Sequence, residues 1–196
     1  MPTKLLKSVA LFGRELLANP SGTGAAFPSS PFLGKRMASY IDPDTEGWVV
    51  ELGAGTGSIT QALLDYGVAP RKLITVEMSE KLVSHLQQRF PQLNIIQGDA
   101  AELQAIVDRV SGETNTQIDH IVSCLPFRSL PRAIGTKIIN QIKQVLGAQG
   151  KLIQFTYDLR SKDFHHFADF ERKDSAIVLA NLPPARVDLF TLKKTA

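Results

Sequence analysis

Val49-Val50-Glu51-Leu52-Gly53-Ala54-Gly55-Thr56-Gly57-Ser58-Ile59-Thr60 decides how the rest of this chain is read. An apolar run ends in three alternate glycines and gives way to helix-forming residues, so a strand passes through a tight turn into a helix. Glycine lets that turn adopt backbone angles closed to other residues and lets the main chain lie directly against a ligand. The G-x-G-x-G spacing differs from the G-x-G-x-x-G of dinucleotide sites and lacks the Gly-Lys-Ser/Thr end of a phosphate loop. NAD and ATP are therefore disfavoured as ligands.

Outward from this turn, short β-rich runs recur: Trp48 to Leu52, Leu73 to Glu77, Asn94 to Ile96, His120 to Ser123 and Lys151 to Tyr157. Each of the first four precedes a stretch suited to a helix. Near-continuous apolar strands joined by helix-length connections are what a parallel sheet covered on both faces requires. The pattern predicts an α/β fold, doubly wound. Ser175 to Ala180 and Ala185 to Leu192, separated by Pro183-Pro184, read as a late pair of strands. Upstream, Phe32 to Tyr40 suits a short helix, with Ser29 and Ser30 placed to cap it ahead of Pro31.

Residues 3–18 place Leu5, Val9, Phe12 and Leu16 on one side of a helix, widened by Leu6 and Leu17. Residues 1–40 carry Lys4, Lys7, Arg14, Lys35 and Arg36 against Glu15, a net of +4, so with +3 overall the remainder carries −1. Such asymmetry suits a polyanion, either nucleic acid or an anionic membrane. A solvated basic helix packed on the domain accounts for the same pattern. We expect an N-terminal segment over 1–40 and one globular domain over 41–196. With 196 residues and one cysteine, the chain has enough length for a full core and no means of forming an internal disulfide. No Cys/His spacing suits a zinc site, and no apolar stretch is long enough to span a bilayer or to serve as an export signal. A cytoplasmic, metal-free protein is the expectation.

Further candidates fall at the ends of successive strands, the edge where open α/β sheets bind ligands. Glu77 closes the second strand, where a carboxylate can accept from both hydroxyls of a ribose. Asp99, within Gln97-Gly98-Asp99-Ala100, can accept an adenine amino group, or simply cap the helix expected from Ala100 to Arg109. Ser123 to Phe127 follow the fourth strand.

Taken together, these segments resemble the class I S-adenosylmethionine-dependent methyltransferases over about residues 47–157, which implies their seven-stranded Rossmann-like sheet. The resemblance implies that Gly53, Gly55 and Gly57 line the methionine part of S-adenosylmethionine, that Glu77 holds the ribose, and that Met78, Asp99 and Ala100 border the adenine. Ala54, Thr56, Gly98 and Ser123 fall in the same cofactor-binding turns, and Glu51 approaches the cofactor's ammonium.

For the acceptor, two subfamilies compete. Ribosomal RNA adenine dimethyltransferases carry Asn-(Leu/Ile)-Pro-(Tyr/Phe) after the fourth strand, where the Asn carbonyl accepts from the target amine and the aromatic ring stacks on the flipped base. This chain has Cys124-Leu125-Pro126-Phe127, and a thiol cannot replace that carbonyl. Over nearly its whole length the chain is more similar to bacterial phospholipid N-methyltransferases, which methylate phosphatidylethanolamine towards phosphatidylcholine. Gly24-Ala25-Ala26-Phe27-Pro28-Ser29-Ser30, Ser123-Cys124-Leu125-Pro126, Gln154-Phe155-Thr156-Tyr157 and Asn181-Leu182-Pro183-Pro184-Ala185 carry this resemblance, with Cys124 in place of the usual glycine.

The resemblance implies that Leu125 and Pro126 shape the reaction site and that Ser29 and Ser30 close the cofactor pocket. Tyr157 is a candidate for holding the amine through its hydroxyl or its ring face, with rim packing as the other role open to it. Cys124 and Phe127 border the acceptor, and Arg128 and Arg160 are candidates for a lipid phosphate. The expected partner of residues 3–18 is an anionic membrane, peripherally bound at the inner face, rather than nucleic acid. Methylation of RNA adenine or of a small-molecule amine is the alternative activity. A membrane-bound cofactor-binding protein with a degenerate acceptor site is the non-enzyme alternative.

Overall fold

The computed structural model describes residues 29–42, 44–160 and 165–193. The basic stretch 3–18 lies outside them. Seven strands form one sheet: β1 (Trp48–Leu52), β2 (Leu73–Glu77), β3 (Asn94–Gln97), β4 (Ile118–Ser123), β5 (Leu146–Thr156), β6 (Phe170–Val178) and β7 (Ala185–Leu192). The spatial order is β3-β2-β1-β4-β5-β7-β6. β1 to β5 pair in parallel, while β7 runs antiparallel between β5 and β6. The α-helices among the described residues are α1 (Pro31–Ala38), α2 (Ser58–Tyr66), α3 (Glu80–Arg89), α4 (Leu103–Ser111) and α5 (Arg132–Val145), with short helical turns at Pro70–Lys72, Ala100–Glu102 and His165–Phe167. The expected doubly wound α/β fold is the one observed.

The apolar runs of β1 and β2 follow from their central position. Val50, Leu52, Ile74 and Val76 point into a core closed by α4 and α5, while Val49 and Leu73 point into a second core closed by α1 and α2. The period-2 alternation of a strand thus divides each run between two dry faces. α3 adds a smaller cluster in which Val83, Leu86 and Phe90 cover Ala54 of the glycine turn.

Three strand starts differ from expectation. β4 begins at Ile118 and β5 at Leu146, because these two residues pair ahead of an irregularity in the ladder. β6 starts at Phe170, five residues before the expected start. Its polar residues Glu171 to Asp174 lie on an exposed edge, so no apolar alternation marks them, and the ladder to β7 sets the strand's extent. The expected helix after Asp99 begins with a single turn over Ala100–Glu102 before α4 takes over.

α1 is capped as its sequence predicts: the Leu33 N–H donates to Ser30 Oγ at 3.2 Å, with Pro31 in the first helical position. The Ser30 N–H also donates to Asn181 Oδ1 at 2.8 Å, which ties the start of α1 to the β6–β7 turn. Lower on the same face, Arg36 Nη2 donates to Tyr40 Oη and to Asp174.

β7 carries a buried ion pair. Arg186 Nε donates to Asp188 Oδ2 at 3.0 Å, with Nη2 2.9 Å from the same oxygen, and Ser175 Oγ donates to Asp188 Oδ1 at 2.6 Å. Removing one partner of a buried pair leaves the other charge desolvated. Asp188→Ala is expected to lower the unfolding free energy by about 3–5 kcal/mol, read by denaturant titration, with Asp188→Asn costing less because it keeps an acceptor for Arg186.

Candidate functional site

Between β1 and β4 the order of strands reverses, and the crevice opens at their carboxyl ends. The glycine turn forms its floor. Gly53, Gly55 and Gly57 all have positive φ, at 73°, 58° and 84°, so each meets a need that other residues satisfy only with strain. The reasons for excluding a side chain differ. A Cβ on Gly57 would stand 2.6 Å from the Phe90 ring and 2.9 Å from Leu86, whereas a Cβ on Gly55 would meet nothing within 4 Å. Gly57 thus serves packing, and Gly55 leaves space open beside the turn. Arg89 Nη1 donates to the exposed Thr56 carbonyl at 2.9 Å and pins the loop from outside.

The Gly55 N–H donates to Glu77 Oε2 and the Ser79 N–H to Glu77 Oε1, both at 2.9 Å. Two backbone donors orient this carboxylate and leave lone pairs for a vicinal diol. Asp99 Oδ1 accepts from the Ala101 N–H at 2.8 Å, so the capping role is real and Oδ2 is left for a ligand. Glu77, Met78, Gly98, Asp99 and Ala100 border one open cleft together with Gly53 and Leu125. Leu130, Ile134 and Ile138 supply its far wall. Sequence reading missed these three, because Ile134 and Ile138 on α5 have the helical spacing of core residues and Leu130 stands in the loop just before that helix. Apolar walls and two carboxylates suit an adenosine, with the base between the walls and the ribose at Glu77.

Glu51, the penultimate residue of β1, lies fully buried. Thr60 Oγ1 donates to its Oε2 at 2.7 Å and Thr75 Oγ1 at 3.4 Å, while Oε1 has no partner. Burial raises its pKa to about 7, against the lowering effect of both threonines. An unsatisfied buried acceptor of this kind fits an ammonium placed beside it or a water between them. The residues present therefore fit S-adenosylmethionine at its base, its ribose and its amino group.

At the end of β4, the Cys124 N–H donates to Leu52 O at 2.9 Å, locking the two loops of the crevice together. Burial, reinforced by Glu51 and Glu77, keeps the Cys124 thiol protonated. The Leu125 N–H donates to Ser123 Oγ, and Gln154 Nε2 donates to the Leu125 carbonyl at 3.0 Å, so Ser123 and Gln154 set the shape of the Leu125-Pro126 segment. Tyr157 follows β5 with its ring edge-on to Phe155 at 5.5 Å and its hydroxyl in reach of the Asn181 side chain. Asn181 is buried and also bonds Ser30, a bridging position that sequence reading quoted only within a longer segment.

One expectation is corrected. Phe127 is 3% exposed and sits in the core, edge-on to Phe167 at 5.2 Å. Phe167 in turn stacks on Phe190 at 4.9 Å, so the Phe127 ring belongs to an aromatic cluster rather than to an acceptor pocket. Arg128 is half exposed and engaged by Asp158 at 2.6 Å; Arg160 is exposed, its N–H donating to Asp158 Oδ1 at 2.9 Å. An acidic headgroup would have to compete with Asp158 for Arg128.

Comparisons with known proteins place these features in context. Residues 49–150 match the family model of a methyltransferase domain. An ornithine lipid N-methyltransferase of Singulisphaera acidiphila is 29% identical over 185 residues, covering 92% of this chain and 94% of that protein. A ribosomal RNA small subunit methyltransferase A of a Synechococcus strain is 41% identical, over 35% of this chain and 25% of its own length. Among solved structures, the 1,6-didemethyltoxoflavin N1-methyltransferase of Burkholderia thailandensis, with 1,6-didemethyltoxoflavin and S-adenosylhomocysteine bound, shares the fold at a TM-score of 0.67. It is 14% identical over 96% of this chain and 90% of that one.

The glycines separate binding from stability. Gly55→Ala should weaken S-adenosylmethionine binding by calorimetry at a stability cost of only about 1–2 kcal/mol from the left-handed backbone, while Gly57→Ala should lower the melting temperature far more. Glu51 sets a pH dependence. Its carboxyl is raised in the folded protein, so its contribution to stability is present below the ordinary carboxylate range and is lost as pH rises towards about 7. A bound ammonium reverses the preference, so cofactor affinity should rise up to roughly tenfold per pH unit between about pH 6 and 7 and level off above, and Glu51→Gln should flatten the profile.

Proposed function

The chain belongs to the methyltransferase domain family and is an S-adenosylmethionine-dependent methyltransferase, and on that premise we propose that it transfers the methyl group to the amine of a membrane lipid. The observation that carries this reading is the extent of the likeness to a lipid N-methyltransferase, which covers 92% of this chain and 94% of that protein and so reaches well beyond the cofactor core. The buried Phe127 speaks against the alternative. A flipped adenine needs an exposed ring to stack on, and here that ring is held in the core. Phosphatidylethanolamine, its monomethyl form and an ornithine lipid are the acceptors to compare.

S-adenosylmethionine, when bound, supplies a methyl group activated by its sulfonium. The chain's own residues bind and align. In this reading Glu77 and Asp99 hold the nucleoside, Glu51 faces the ammonium, Ser30 closes the pocket from α1, and Ser123 and Gln154 fix the Leu125-Pro126 segment beside the acceptor. Tyr157 orients the amine. Burial raises its pKa, so it stays a neutral phenol and serves as a hydrogen-bond partner and ring face rather than as a base. The lipid ammonium must then lose its proton to solvent before attack, and kcat/KM should rise with pH towards the amine's own pKa. Residues 3–18, which lie outside the described residues, remain part of this proposal as a basic, leucine-bearing segment that meets anionic lipid.

The test is methyl transfer from labelled S-adenosylmethionine to each lipid in anionic vesicles and to unmodified ribosomal RNA. Label in lipid supports the reading, and label in RNA alone overturns it. Tyr157→Phe should lower kcat/KM for the lipid about tenfold, with cofactor affinity unchanged by calorimetry.

A further inference from the structure

Six large apolar side chains are exposed among the described residues, and four of them belong to one corner: Phe32 at 63%, Ile177 at 52%, Leu179 at 76% and Leu182 at 71%. Singly exposed leucines are ordinary, so it is the clustering that calls for an explanation. Two hydrogen bonds make the corner one unit. The Ser30 N–H donates to Asn181 Oδ1, and Asn181 Nδ2 donates to the Pro183 carbonyl at 2.7 Å, so the start of α1 and the β6–β7 turn are held together by one buried side chain. Its place in the sheet is settled by register. β7 runs antiparallel to β5 with Arg186 opposite Thr156, so the turn stands at the carboxyl-end edge, next to Tyr157 and the crevice.

Charge distinguishes what this corner would meet. Residues 177–184, Ile-Val-Leu-Ala-Asn-Leu-Pro-Pro, carry no charge at all. Lys35 is exposed on α1 one turn beyond Phe32, and Arg160 is exposed beyond β5, while the nearby acids Asp158 and Asp174 are held by Arg128 and Arg36. An uncharged apolar tip bordered by exposed cations matches the boundary between acyl chains and anionic headgroups.

Resting on the lipid-amine reading above, we propose that the β6–β7 turn is a membrane-inserting tip: Leu179, Leu182 and Ile177, with Phe32 beside them, enter the acyl region of an anionic bilayer and set the mouth of the crevice against the headgroups. The acceptor amine then reaches Tyr157 without its lipid leaving the membrane. This contact is separate from any made by residues 3–18.

The chain's single tryptophan provides the control. Trp48 opens β1 at the opposite edge of the sheet, so its fluorescence should not change on vesicles of phosphatidylglycerol and phosphatidylethanolamine whose acyl chains are brominated. In a full-length variant combining Trp48→Phe with Leu179→Trp, the same vesicles should quench the emission by about half or more and shift it to the blue. Leu179→Ser/Leu182→Ser should lose about tenfold in vesicle affinity, with melting temperature and S-adenosylmethionine affinity unchanged. An unquenched indole at position 179 on vesicles that the protein binds overturns the proposal, as does no vesicle binding by the parent protein. A parent dimer that the double serine variant converts to monomer, by light scattering, also overturns it in favour of a second copy covering the tip. If the serine variant fails to fold, the fluorescence readout alone decides. Quenching of the indole at position 179 with no methyl transferred to any lipid upholds the bilayer contact and overturns the acceptor reading instead.

Discussion

The adjacency of β1 and β4 is the constraint on which the rest of this molecule depends. The chain winds outward through β2 and β3 and then returns to lay β4 against the other side of β1, so the connections leaving these two strands diverge and a crevice opens between them. Two backbone hydrogen bonds hold that geometry: the Gly53 N–H to Val76 O at 2.8 Å and the Cys124 N–H to Leu52 O at 2.9 Å. They bring the loops after β1, β2 and β4 within reach of one ligand. Without them, the glycine turn would be a connection like any other.

Around this crevice the side chains are held chiefly by the main chain. Glu77 is oriented by two N–H groups and Asp99 by one, each keeping acceptor capacity for a ligand. Glu51 is the exception. It is buried with one oxygen unpartnered, a costly arrangement for a free protein and a favourable one when a cation arrives. The cofactor end of the site is thus preorganised.

In the proposed reading the acceptor end is organised differently. Asn181 bonds Ser30 and the Pro183 carbonyl and stands in reach of the Tyr157 hydroxyl, so a helix from the start of the described chain and a hairpin from its end meet beside the crevice. Segments separated by 151 residues in sequence are made into one rim. On that reading the sheet's last hairpin completes the site as well as the core, and its exposed leucines share that rim.

Much of this was legible in the residues alone. The five parallel strands, the glycine turn, the acids at strand ends and the serine cap of α1 follow from periodicity and local chemistry, because each depends on neighbours a few residues apart. What the tertiary structure decided depends on partners far away in sequence. Phe127 reads as a ring for the acceptor and is instead packed on Phe167, since only the fold brings the chain after β5 against the loop after β4. The apolar wall from α5, the bridge at Asn181 and the reach of β6 along β7 were likewise invisible, because identical spacing serves a core or a pocket until the opposing surface is known. Local pattern determines which element forms and which face is dry; long-range packing alone determines which apolar and polar groups are left facing the crevice.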